Sequence, residues 1–101
     1  MFKLTNLMEN VSKGVALTLD NGYTVSIQWG PSNYCDNYGL NDRDSLYKTA
    51  PPSATAETAV IAPNGKFVKY KGDDVQPYQT VADVIETLAT VAYWEVPDEI
   101  A

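Results

Sequence analysis

Residues 14–29 read GVALTLDNGYTVSIQW, and this stretch decides the fold. Val15, Leu17 and Leu19 alternate with Ala16 and Thr18, and after a break Tyr23, Val25, Ile27 and Trp29 alternate with Thr24, Ser26 and Gln28. Successive side chains of a strand point to opposite sides, so a period of two marks a strand with one buried face. Between the runs lies Asp20-Asn21-Gly22. Asn and Gly accept the positive φ of a tight turn, and the stretch therefore reads as a β-hairpin.

The segments around it complete a small scaffold. Residues 56–62 (AETAVIA) and 66–71 (KFVKYK) flank Pro63-Asn64-Gly65 and read as a second hairpin. Val60 and Ile61 are consecutive, which suits a strand buried on both sides. In residues 1–13 the apolar positions fit a short helix or a strand, with strand pairing favoured for the first few. Residues 80–94 have helical spacing. Val81, Val84, Ile85, Leu88, Val91 and Ala92 are predicted to face inward, with Asp83, Glu86, Thr87 and Thr90 outward. Thr80 and Asp83 form a variant capping box at the start, and Pro97 ends the pattern. The predicted fold class is α+β: an antiparallel sheet of about four strands, built from two hairpins and covered by one C-terminal amphipathic helix. Residues 1–101 form a single domain.

Composition excludes several function classes. The chain has 7 basic and 13 acidic residues, a net charge of −6. That balance opposes direct nucleic-acid binding, which needs Lys and Arg to displace counterions from phosphate. It leaves open a surface that imitates nucleic acid or binds a basic partner. There is no histidine, which removes Ser-His-Asp and Cys-His catalysis and His metal sites. Cys35 is the single cysteine, so no internal disulfide forms. Its neighbours Asn33, Tyr34, Asp36 and Asn37 include no cation or base to activate it, and an unreactive, partly buried thiol is expected. No apolar run approaches the roughly 18–20 residues of a membrane span, and no signal peptide is evident, so a cytoplasmic location is expected.

No motif with a known mechanism is present: no phosphate-binding glycine loop, zinc-protease motif, CxxC or nucleophile elbow. Asp36, Asp42 and Asp44 lack the ligand order of a calcium loop. Asp73-Asp74 follows the Lys71-Gly72 pair and reads as a turn. No catalytic residue, metal or cofactor is expected.

Two surfaces remain as candidates. The 24 residues 30–53 (GPSNYCDNYGLNDRDSLYKTAPPS) are rich in turn-forming residues and far longer than the usual connection of about 4–6. They hold Tyr34, Tyr38 and Tyr47, with Trp29 at the entry and Asp42 and Asp44 between the rings. Tyr with Asn, Ser and Gly is the composition of adaptable recognition surfaces, and these six residues are the expected partner-binding set. The competing reading has the rings folded back to pin the loop. The second surface is acidic: residues 72–101 carry seven acids and no Lys or Arg, and Asp83, Glu86 and Glu95 make the expected acidic face.

The segments TVSIQWGPSNYCDNY and VIAPNGKFVKYKGDDVQPYQTVADVIETL resemble small uncharacterised proteins encoded by phages and prophages. The shared features are a strand ending in a Gly-Pro-x-Asn-Tyr loop, a Pro-Asn-Gly hairpin, and a Gly-Asp-Asp-Val segment leading to a helix. The resemblance carries no site residues. It implies a viral gene context and host cytoplasm, in which a small acidic protein acts by blocking a host or defence factor in the anti-CRISPR manner, the target being a nucleic-acid-binding protein. The expected function is a non-catalytic protein-binding module. The alternatives are a small-ligand or carboxylate-based enzymatic domain, or a virion assembly component.

Overall fold

The structure, a computed structural model, describes residues 3–6 as backbone, and 14–39 and 52–96 in full. The sheet is entirely antiparallel and has six strands: β1 (Lys3–Asn6), β2 (Gly14–Thr18), β3 (Thr24–Gln28), β4 (Ala56–Ile61), β5 (Phe67–Val68) and β6 (Val75–Gln79). A single described helix follows, α1 (Val81–Ala92). The strands run β1-β2-β3-β4, and β5 and β6 share the outer edge of β4.

Both hairpins form on the same three-residue turn, but the strand expected over residues 66–71 is only Phe67–Val68, with Tyr70 bridging to Asp73 beyond it. The Gly22 N–H donates to the Leu19 carbonyl at 2.9 Å, and the Gly65 N–H to the Ala62 carbonyl at 2.8 Å. Each glycine then takes a positive φ, +87° and +85°, the turn-plus-bulge geometry of three-residue hairpin loops. Each asparagine Oδ1 accepts the N–H two residues on: Asn21 from Tyr23, Asn64 from Lys66. At Gly14 the requirement is close approach, since a Cβ there would collide with the Ile27 carbonyl oxygen.

Two strands extend the expected four. The chain's first residues pair with β2, as Leu4 does with Leu17. β6 escapes a reading by alternation because VQPYQ contains a proline, which cannot donate to a ladder and is confined to edges or bulges. Here it is at both: β6 is an edge strand, and its register against β4 slips between Ala56 and Thr58.

The main hydrophobic cluster lies where β3 and β4 meet α1, while Ala16 and Ala59, in register with Ser26, are buried on the opposite face of the sheet. Val25 and Ile27 of β3 pair with Val60 and Thr58 of β4. Leu19, Val25, Val60, Tyr70 and Val91 form its buried centre, with Tyr23, Leu88 and Trp94 packed around them. Tyr23 and Trp94 meet edge to face at 5.1 Å and 81°, a favoured aromatic geometry.

The helix start is as expected. The Thr80 hydroxyl accepts the Asp83 N–H, and the Asp83 carboxylate accepts the Thr80 N–H. Its docked face is not. Val91 and Thr87 are fully buried, whereas Val81 is 71% and Ile85 60% exposed. Ala92 also faces solvent. The apolar sector is wider than the stripe that meets the sheet, so the helix seats on its Val84–Leu88–Val91 flank. The small Thr87 fits there because its hydroxyl donates to the Asp83 carbonyl at 3.1 Å, which satisfies the group inside the core. At the other end Asn21 Nδ2 donates to the carbonyls of Val91 and Trp94 at 2.8 and 3.0 Å. The first hairpin turn thus caps the helix C-terminus.

Candidate functional site

The loop of residues 30–39 is built by alternation without a strand. Asn33, Cys35 and Asn37 are buried, and Ser32, Tyr34, Asp36 and Tyr38 are exposed. The buried residues hold it. The Gly30 N–H donates to Asn33 Oδ1 at 2.9 Å, Asn37 Nδ2 donates to the Trp29 carbonyl at 2.8 Å, and Cys35 Sγ lies 3.6 Å from the Gly30 carbonyl. The loop is also tied to β4 and its approach. Glu57 accepts from Asn33 Nδ2 and from the Tyr34 N–H, one oxygen each, at 3.3 and 3.2 Å. The Asp36 N–H donates to the Thr55 hydroxyl at 3.0 Å, and that hydroxyl donates to Asp36 Oδ1 at 2.8 Å.

Fixing the odd-numbered residues inward sets the even-numbered rings outward. Tyr34 and Tyr38 are 48% and 53% exposed, and their rings pack against each other at 5.1 Å between centroids. Among the described residues the loop is therefore held by Asn33, Asn37 and Cys35 with Glu57 and Thr55, not by the rings of Tyr34 and Tyr38. The backbone of a third exposed tyrosine, in β6, bonds to the loop. Tyr78 is 49% exposed, and its N–H donates to the Tyr34 carbonyl at 2.9 Å. Tyr78 has φ +52°, in the left-handed region that costs a non-glycine residue roughly 1–2 kcal/mol. The β6 bulge and the bond to Tyr34 hold it there.

A separate concavity of about 390 Å³ opens between β3, residues 52–56 and α1. Ile27, Trp29, Val81, Val84 and Ile85 give it an apolar wall, and among the described residues no carboxylate or amine lines it. Trp29 thus lines this groove, which neither Tyr34 nor Tyr38 does. Asp42, Asp44 and Tyr47 lie outside the described residues.

The acidic-face residues are less free than their charge suggests. Asp83 is tied into the helix cap, whose hydrogen bonds from the Thr80 backbone and hydroxyl hold its carboxyl below the usual aspartate range. Glu86 pairs with Lys71 at 3.3 Å, which raises the lysine's pKa. Glu95 is exposed beyond the helix. Among the described residues no His, Cys, Asp and Glu group could hold a metal ion, and no helix is long and apolar enough to cross a membrane. Sequence reading missed Thr55, Glu57 and Tyr78. Only Pro77 beside Tyr78 signalled an irregular edge.

Comparison with protein-family models, curated proteins and solved structures finds no match to this chain.

Proposed function

We propose that this chain is a non-catalytic protein-binding module whose partner surface is the tyrosine face of Tyr34, Tyr38 and Tyr78. The observation that carries the reading is the alternation in residues 33–38, which buries Asn33, Cys35 and Asn37 and holds two packed rings in solvent. Loops held by a rigid scaffold concentrate binding. Tyrosine offers large contact area at low entropic cost, because its side chain has only two rotatable bonds. An exposed ring already fixed in place has still less entropy to lose on association. In the phage-type context suggested by the sequence, the module is an inhibitor of a host or defence factor in the cytoplasm, and the −6 charge favours a basic, nucleic-acid-binding target.

Affinity capture from a bacterial lysate, run at low and high salt, tests this. A stoichiometric partner should be retained by the wild type and weakened about tenfold or more by Tyr34→Ala or Tyr38→Ala. Capture that survives both substitutions would remove the tyrosine face from the interface.

The apolar groove favours a second reading, a small-ligand domain. Its wall of Ile27, Trp29, Val81 and Ile85 suits an apolar molecule. Native mass spectrometry of purified protein should show a bound mass if this second reading is right, and a bare chain if the first is.

A further inference from the structure

We infer that the tyrosine face recognises an arginine side chain on the partner protein, with Tyr34 and Tyr38 supplying the ring surface and Asp36 the carboxylate. This inference rests on the binding role just proposed and specifies its chemistry.

Three observations converge. The first is the geometry of the rings. Tyr34 and Tyr38 pack at a tilt of 34° and each remains about half exposed. The electron-rich face of an exposed ring attracts a cation within about 6 Å of its centroid. The molecule uses this contact elsewhere, with Lys71 Nζ 5.6 Å from the Tyr70 ring centroid.

The second is the carboxylate of Asp36, midway between the two tyrosines in sequence. Asp36 is exposed on the same outward set as the two tyrosines. Its Oδ1 is oriented by the Thr55 hydroxyl, and Oδ2 accepts no hydrogen bond from the described residues. A side chain already held by one oxygen presents the other in a set direction.

The third is charge balance. The ion pairs among the described residues join Lys69 to Asp74 and Lys71 to Glu86. Neither Asp36 nor Glu57 takes part in one. Glu57 instead spends both oxygens on Asn33 and the Tyr34 backbone. Asp36, in the loop that carries the rings, and Glu57, bonded to that loop, thus hold no cation from the described residues, while Lys69 and Lys71 are engaged with other acids. Arginine fits this arrangement better than lysine. Its planar guanidinium stacks on an aromatic face while its N–H fork reaches a carboxylate, and it is more weakly hydrated than an ammonium group.

The test uses the full chain and three acetylated, amidated peptides of one length, (Gly-Arg-Gly)₃, (Gly-Lys-Gly)₃ and (Gly-Cit-Gly)₃, where Cit is the neutral citrulline. Binding is followed by NMR shifts of the Tyr34 and Tyr38 rings and the Asp36 amide at low salt. The arginine peptide should shift these signals saturably, about two- to fivefold more tightly than the lysine peptide, and the citrulline peptide should not. Asp36→Asn and Tyr34→Leu should each weaken the arginine titration with the remaining spectrum unchanged. Equal binding of arginine and citrulline peptides overturns the inference, as do shifts confined to Asp73, Asp74 and Glu86. If a lysate partner depends on Tyr34 and Tyr38 yet the arginine peptide neither shifts the rings nor competes, the interface stands and its inferred chemistry falls. If the peptide titrates these signals while partner capture ignores both tyrosines, the recognition chemistry stands and the proposed interface falls.

Discussion

The loop of residues 30–39 and the helix α1 each leave large apolar groups in solvent, and they arrive there by opposite routes. In the loop the exposed rings follow from what is buried. Asn33 and Asn37 find hydrogen-bond partners inside, Cys35 is buried against the Gly30 carbonyl, and Tyr34 and Tyr38 point out. In the helix the exposed groups are a remainder. Its apolar sector is wider than the sheet can cover, so docking on Thr87 and Val91 leaves Val81 and Ile85 outside. The loop is held by directional bonds and the helix by non-directional burial, with Asn21 adding a cap at its end. Directional anchors fix the position of an exposed group, whereas leftover apolar surface is fixed only by where the helix settles.

The largest effect expected from this contrast is on the helix. Val91→Asp places an unpaired carboxylate in the core and should abolish the cooperative thermal transition. Ile85→Asp, six residues earlier on the exposed side, should leave it nearly unchanged. A stable Val91→Asp protein would mean that the inward face is misidentified.

A smaller loss should follow from Asn21→Asp. It keeps the oxygen that accepts the Tyr23 N–H but replaces the donor facing the Val91 and Trp94 carbonyls with a negative charge. Repulsion at the negative end of the helix should cost about 1–3 kcal/mol. Asn64→Asp makes the same change in the same turn, with no helix beside it, and should stay within about 0.5 kcal/mol. Equal effects in urea titrations would deny the cap.

These paired turns show what sequence could and could not convey. Asp20-Asn21-Gly22 and Pro63-Asn64-Gly65 announce their hairpins equally well, because the turn is a local backbone property. That only Asn21 reaches the helix is a matter of tertiary arrangement. The helix itself was legible from spacing and from Thr80 and Asp83, but its rotation was not. Thr87 reads as an outward polar residue until its hydroxyl is seen to bond the Asp83 carbonyl. β6 was hidden by Pro77. The loop's alternation stood in the sequence but did not register as a pattern, since the buried members are amides rather than hydrocarbons. Trp29, Tyr34 and Tyr38 are close in sequence, yet Trp29 lines the apolar groove and the two tyrosines stand in solvent on the loop.

For the loop, Asn33→Ala should cost about 1–2 kcal/mol, since it removes the partner of the buried Gly30 N–H and a bond to Glu57. Tyr34→Ala should stay within about 0.5 kcal/mol. The reverse order in thermal melts would make the ring the anchor and the amide incidental.

The slightest effect belongs to the helix cap. Asp83 has its pKa lowered in the folded state, so its contribution is complete above the ordinary aspartate pKa and is lost as pH falls through the lowered value. Melting temperatures of wild type and Asp83→Asn should therefore differ near neutral pH and converge in acid below about pH 4. A constant difference across that range would exclude the carboxylate charge as the cause.

The most direct measurement sets the two exposed regions against each other. The dissociation constant of a captured partner would be measured for Tyr34→Ala/Tyr38→Ala and for Val81→Ser/Ile85→Ser, both confirmed to melt like the wild type. The tyrosine pair should lose about tenfold or more in affinity and the groove pair should bind like the wild type. Loss of binding in the groove pair, with the tyrosine pair unaffected, would contradict the account and move the functional surface to the helix.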